Sequence, residues 1–395
     1  MDPARTSETI MATMARDGTG KMGVRNSIAL GLLAMAPVSI AAERLHWGEG
    51  LVCVSSALAI LSLAIWLTTA IEELAIALGP TLGALLTALF GNAGELIISL
   101  TALKAGLVDI VKASITGTLI GNLLLCLGLS FLIGGIGRSE QTFQPTMARV
   151  NGTVMTLAVL AILIPSISHL GLRVEGIAPL ASDALAGGTA ASEWIFSRFV
   201  AWVLLLVYGL TLLFSLGTHR HLYAVAEADL EDESSSTHPP KVLPWLLLLL
   251  AVSAGLTYES ELFVAVIEPV TQQLGIGTLF TGVVILPLLG SIAEVLTAIS
   301  MAQRNKVDLS VSVALGSTLL VALLVVPLLV VLSPLFGHPL TLSFNVYELI
   351  AIITAVVVSN LVSLDGRSDW LEGVLLLAAY VILAAGFAIQ NTALA

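Results

Sequence analysis

Long unbroken apolar runs, separated by short polar breaks, fill the chain from residue 26 to residue 390. A bilayer core about 30 Å thick is crossed by about 20 apolar residues in helix. Runs at roughly 26–44, 51–78, 81–103, 108–134, 147–169, 194–216, 242–268, 277–303, 308–333, 346–363 and 370–390 reach or nearly reach that length. Strands of a membrane barrel would alternate apolar and polar residues; these runs do not. The pattern predicts an all-α polytopic membrane protein with 11 transmembrane helices. The first run has a rival reading, because Ser39-Ile40-Ala41-Ala42 resembles a signal-peptidase site. The preceding polar stretch of about 25 residues is long for a signal n-region, which favours a retained helix.

Composition agrees with lipid as the main solvent and partner. Of 395 residues, 57% are hydrophobic and 11% charged, with a mean hydropathy of +1.00. A soluble domain carries roughly 25% charge. The net charge of −11 argues against nucleic acid as a partner, which wants a basic face. The two cysteines, Cys53 and Cys126, lie inside apolar runs and read as small buried hydrophobes. With the N-terminus in the cytoplasm, eleven Lys and Arg fall on the cytoplasmic side, against Arg44, Lys104, Lys112, Arg173 and Arg198 on the far side. The C-terminus then faces away from the cytoplasm. Short termini and modest loops point to a prokaryotic inner (plasma) membrane.

The order along the chain is a cytoplasmic tail (1–25), a first helix (26–44), a block at 50–217, an acidic linker at 218–241 and a block at 242–390. The linker holds Glu227, Asp229, Glu231, Asp232 and Glu233. It reads as a solvated connector first and as a weak Ca²⁺ or regulatory site second. The two blocks resemble each other. At a shift of 199 residues Gly91 meets Gly290, Glu95 meets Glu294, Val108-Asp109 meets Val307-Asp308, and Gly117-Thr118 meets Gly316-Ser317. A constant offset across a helix pair marks an internal repeat. Five helices per block make the second start from the opposite membrane side, an inverted-topology repeat of the kind secondary transporters use.

Glu95 and Glu294 lie at matching places deep in apolar helices. A central carboxylate costs about 2.5–3.5 kcal/mol by insertion scales and marks an ion or proton path. Two such groups facing each other hold either protons or a shared divalent cation, never both fully. That exclusion is the physical basis of exchange. Gly91, Gly94 and Gly290 let backbones approach or a helix open, freeing carbonyl oxygens. Asn92 and Ser291, one turn before the acids, offer neutral oxygens. Glu72 and Glu73 near the end of the second span, and Glu261 and Glu268 in the seventh, are expected to be gating acids or to be solvated. Asn122 and Asn360 read as interhelical hydrogen-bonding amides. Asn151-Gly152-Thr153 matches a glycosylation triplet but sits in a span.

These residues resemble the Ca²⁺/H⁺ exchanger (CAX) family of the Ca²⁺/cation antiporter superfamily. The likeness rests on Gly91-Asn92-Ala93-Gly94-Glu95-Leu96-Ile97 with Ala113-Ser114 and Gly117, and on Gly290 to Glu294 with Lys306-Val307-Asp308-Leu309 and Val313 to Ser317. Thr69 to Gly79 and Asp365 to Gly373 extend it to about residues 50–390. The resemblance implies a first helix outside two five-helix repeats and Ca²⁺ expelled against proton entry. Carried over by position, Glu95 and Glu294 would be the central metal ligands and proton carriers, and Glu72 and Glu73 would line an access path. Ser291, Val295, Leu320 and Gly121 depart from the family pattern, which often has Asn, His, Gln and Ser there. Fewer oxygens leave a Na⁺ or K⁺/H⁺ antiporter open, and a non-transporting membrane subunit is a third reading. Zincin motif, nucleophile elbow and phosphate loop are missing, so neither an enzyme nor a bound cofactor is expected. Self-association into a homo-oligomer is left open.

Overall fold

The computed structural model describes residues 24–174, 186–218 and 242–392. The N-terminal tail up to residue 23 and the acidic residues of the linker lie outside them. The protein is mostly helical. In chain order the helices are α1 (Val24–Leu33), α2 (Met35–Arg44), α3 (Glu49–Leu78), α4 (Pro80–Phe90), α5 (Ala93–Lys104), α6 (Val108–Ile120), α7 (Leu127–Gly135), α8 (Pro145–Val174) and α9 (Ala186–Leu212). They continue with α10 (Val242–Gln273), α11 (Thr278–Phe280), α12 (Leu286–Gly290), α13 (Ile292–Gln303), α14 (Val307–Leu320), α15 (Val326–Leu332), α16 (Val346–Ser363) and α17 (Trp370–Thr392). Two short strands, β1 (Gln141–Thr142) and β2 (Arg367–Ser368), pair antiparallel beside an ion pair of Arg367 with Glu140 at 3.3 Å.

Among the described residues ten helices are long and apolar enough to span a bilayer. The eighth expected span, 277–303, is instead a broken pair, Thr278–Gly290 and Ile292–Gln303, bent by 62°. The third keeps its direction but is interrupted at Gly91 and Asn92, between α4 and α5. Large apolar side chains cover the outward faces. On α9 these are Phe199, Trp202, Leu206 and Leu210, and on α10 Leu243, Leu247 and Leu250. Such a surface is stable only against lipid.

The described residues form two compact units, each drawing on both halves of the sequence. One unit takes its residues from 1–105, 225–276 and 289–296. In it α10 packs along α3 and against α5, and α1 and α2 also lie on α3. The buried stripe of α10 runs through Leu248, Val252, Leu256, Glu259, Phe263, Ile267 and Val270, the three-to-four spacing of a single helix face.

The second unit takes its residues from 106–224, 277–288 and 297–395. Glycines set its closest crossings. A Cβ at Gly117 would strike the Val283 carbonyl and the Pro287 ring, and one at Gly282 would strike Ala113. Asn122 donates to Ser317 at 3.0 Å and Asn360 to Thr156 at 2.8 Å, the interhelical amide bonds expected of them. Asn151 is buried within α8, which leaves its triplet no access to a glycosylating enzyme. Cys53 in the first unit and Cys126 in the second are buried free thiols.

Residues 338–345 run extended among the helices of this second unit, with Leu340, Leu342 and Phe344 buried. Backbone groups with no helical partner must be satisfied by side chains here. Ser166 donates to the Leu342 carbonyl and accepts from the Phe344 amide, both at 2.8 Å. Ser197 accepts from the Leu342 amide at 3.0 Å, and Ser333 from the Leu340 amide at 2.9 Å. Lys112, counted among the far-side charges, donates to the Ser343 carbonyl at 3.0 Å and so acts as an internal strut. Asn345 and Glu348 close a reciprocal capping box on α16.

Ser166→Ala strands two buried backbone groups, each worth about 1–3 kcal/mol. Its thermal midpoint in detergent should fall well below that of the wild type. Gly117→Val overpacks the crossing with residues 281–287 at a cost of about 1–3 kcal/mol and should lower the midpoint in the same assay.

Candidate functional site

The two predicted acids lie in the same unit, each in the first turn of a helix that restarts after a break. Gly91 and Asn92 interrupt the third span, and Glu95 is the third residue of α5. Ser291 interrupts the eighth, and Glu294 is the third residue of α13. Glycine tolerates such a break at little cost, and the restarted helix presents its positive dipole end and free amides to an anion.

The two breaks meet through Glu95. Its side chain lies on Gly290, where an added Cβ would come within 2.7 Å of Glu95 Cγ. A Cβ on Gly94 would in turn sit 3.9 Å from the Gly290 carbonyl oxygen. The small residues thus let the two backbones close on the carboxylate. Asn92 donates from Nδ2 to Glu95 Oε2 at 2.8 Å, and the Ser291 hydroxyl donates to Oε1. Glu95 is 6% exposed, and Asn92 and Ser291 are buried with it. Glu294 is half-buried, one turn beyond Ser291.

This arrangement is chemically convertible. An amide carries a carbonyl oxygen as well as donors, and a hydroxyl carries lone pairs as well as its proton. A flip of the Asn92 amide and a turn of the Ser291 hydroxyl change both from donors to the carboxylate into oxygen ligands beside it. The site therefore suits a bare carboxylate held by donors, or a cation held by oxygens, without moving backbone. No three His, Cys, Asp or Glu side chains gather among the described residues. A cation here relies on carboxylates plus neutral oxygens.

The remaining candidates lie elsewhere in the unit. Glu72 and Glu73 are half-buried in the last two turns of α3. Glu268 is half-buried in α10, next to Pro269. Glu261 faces outward, paired with Lys104 at 2.8 Å, and the two side chains are 46% and 64% exposed. Lys104 ends α5 nine residues from Glu95, about 13 Å along a helix axis, so Glu261 marks a rim and not the centre. Sequence reasoning passed over Glu259, which is 2% exposed and bonded by Ser39 of α2. The three-to-four stripe of α10 was the available signal, since Glu259 lies on it and Glu261 does not.

Residues 48–217 and 244–388 match the family described as sodium/calcium exchanger protein. The chain is 45% identical to a Ca(2+)/H(+) antiporter of Aphanothece halophytica over 376 residues, covering 92% of this chain and 96% of that one. It is 43% identical to a Ca(2+)/H(+) antiporter of Synechocystis sp. over 383 residues, covering 94% and 100%. Among solved structures, native YfkE superposes with a TM-score of 0.75 at 35% identity, covering 91% of this chain and 98% of that one. The H+/Ca2+ exchanger CAX shares the fold, with a TM-score of 0.66 at 15% identity. A family match over most of the chain, joined to relatives of such identity over nearly their whole length, makes this protein a member of the sodium/calcium exchanger protein family.

Proposed function

We propose that the protein exchanges Ca²⁺ for H⁺ across a membrane by alternating access, the two ions competing for Glu95 and Glu294. The observation that carries this reading is the Glu95 carboxylate, buried where two helix breaks meet and bonded, among the described residues, through groups that can turn into oxygen ligands. Ca²⁺ takes six to eight oxygens. The two carboxylates, the Asn92 amide and the Ser291 hydroxyl hold six in all, with carbonyls freed at the breaks or water to complete the shell. The names of the cyanobacterial relatives weigh the cation towards Ca²⁺ and away from Na⁺ or K⁺, and weigh against a non-transporting subunit.

The finer arrangement belongs to the same proposal. The bent pair counts as one span, giving eleven, with α1 and α2 as a first span outside two inverted repeats of five. Besides the offset of 199, π-helical turns at Gly121–Cys126 and Val321–Val325 begin within one residue of that spacing. Such turns are frequent at functional sites. Glu72, Glu73 and Glu268 line the approach to the central acids, and the Glu261–Lys104 pair lies at its rim. The bacterial relatives support a prokaryotic plasma membrane, and the Lys and Arg bias places the N-terminus in the cytoplasm.

In inside-out vesicles a preset pH gradient should drive radiocalcium uptake. Glu95→Gln and Glu294→Gln, which keep shape but remove charge, should each reduce uptake to the level of empty vesicles. Wild-type uptake in either variant would overturn the assigned roles. Gly290→Ala pushes a methyl against Glu95 and should slow uptake roughly 10- to 100-fold, the rate equivalent of about 1–3 kcal/mol of overpacking. A salt panel read with a pH dye should show proton flux with Ca²⁺ and far less with Na⁺ or K⁺.

A further inference from the structure

Glu259 is a carboxyl group inside the membrane-spanning α10 that the exchange reading does not use. Its only hydrogen-bonding partner among the described residues is the Ser39 hydroxyl, at 2.8 Å from Oε1 and 2.7 Å from Oε2. The same Ser39 oxygen lies 2.7 Å from the Ala36 carbonyl oxygen. One hydroxyl therefore faces three acceptor oxygens and carries a single proton. If Glu259 is ionised, its carboxylate and the Ala36 carbonyl compete for that one proton. With a proton on Glu259 the competition ends: the carboxyl O–H donates to Ser39 Oγ, and the Ser39 hydroxyl donates to Ala36.

A metal does not suit this place. One carboxylate, one hydroxyl and one carbonyl are far fewer oxygens than a hard divalent cation needs. The charged and titratable groups on the elements packed against α10 are Glu43 and Arg44 on α2, Glu49, Cys53, Glu72 and Glu73 on α3, and Glu95 and Lys104 on α5. None is bonded to Glu259. Tyr258 donates to Glu43 at 3.4 Å, Gln273 to Glu49 at 3.3 Å, and Lys104 to Glu261. Tyr258 and Glu261, one residue before Glu259 and two after, are exposed, whereas Glu259 is buried. Ser39 itself precedes the residues that match the family.

We propose that Glu259 and Ser39 form a second proton-binding site, at which a proton on the carboxyl ties the first span to α10 separately from the ion site at Glu95. This is independent of which cation the protein carries. The test is infrared difference spectroscopy of the full chain in lipid during a pH jump. The wild type should gain a carboxylic-acid C=O band on acidification. Glu259→Gln should lose that band, Glu95→Gln should keep it, and Ser39→Ala, which removes the hydrogen-bond partner but not the acid, should shift its frequency. Protonated Glu95 and Glu294 add bands of their own, so the Glu259 band is the one that Ser39→Ala shifts, and if no band both moves in Ser39→Ala and disappears in Glu259→Gln the proposal is overturned. Should the glutamine variant fail to fold, the Ser39→Ala shift decides alone. Loss of transport in Glu95→Gln with this band intact would separate the two sites.

Discussion

A carboxylate sunk among apolar helices persists only where its surroundings stand in for water, and at Glu95 every neighbour contributes. Asn92 and Ser291 supply two charge-assisted hydrogen bonds. The start of α5 adds its dipole and free amides. Gly290 withholds a side chain, so the opposing backbone closes over the acid. A helix start and an approach of two backbones this close come with the breaks at Gly91–Asn92 and at Ser291, whereas Glu259, within the continuous α10, has, among the described residues, a serine hydroxyl alone.

Breaking helices inside a membrane exposes backbone that lipid cannot satisfy. The second unit shows how this chain handles the same problem away from the acids. Its extended segment at 338–345 is stitched by Ser166, Ser197, Ser333 and Lys112, small or long polar side chains sent from four different places in the chain. The π-helical turns absorb irregular register without leaving the helix. Polar residues scattered through apolar runs therefore fall into two populations. Some, like Asn92, bond the buried acid, while others satisfy irregular backbone.

Hydropathy and length made the spans legible, because lipid imposes one requirement on every helix. The offset repeat and its glycines made Glu95, Glu294, Asn92 and Ser291 legible as a group. Burial along a single helix was harder to read. Glu259 and Glu261 are two residues apart and so point about 200° apart on a helix. One is buried against α2 and the other pairs with Lys104 in the open. Counting acids in a span could not separate them, whereas the periodic stripe of large apolar residues could. Lys112 misled for a related reason. Near the start of α6 it counted only as a far-side charge, and tertiary structure shows its amine turned onto residues 341–343.

The two halves, aligned at the offset of 199 residues, are not equivalent in their packing. Gly117 is pressed against Val283 and Pro287, while a Cβ at its repeat counterpart Gly316 would meet nothing within 4 Å among the described residues. The same inequality reaches the ion site. Asn92 has a long amide that can offer a donor or a carbonyl oxygen, whereas Ser291 has a short hydroxyl whose oxygen stays in place while its proton turns. Switching Asn92 requires the whole amide to rotate inside a packed site, and switching Ser291 requires moving one hydrogen. The two partners of Glu95 thus differ in what a change from donor to acceptor would require of them.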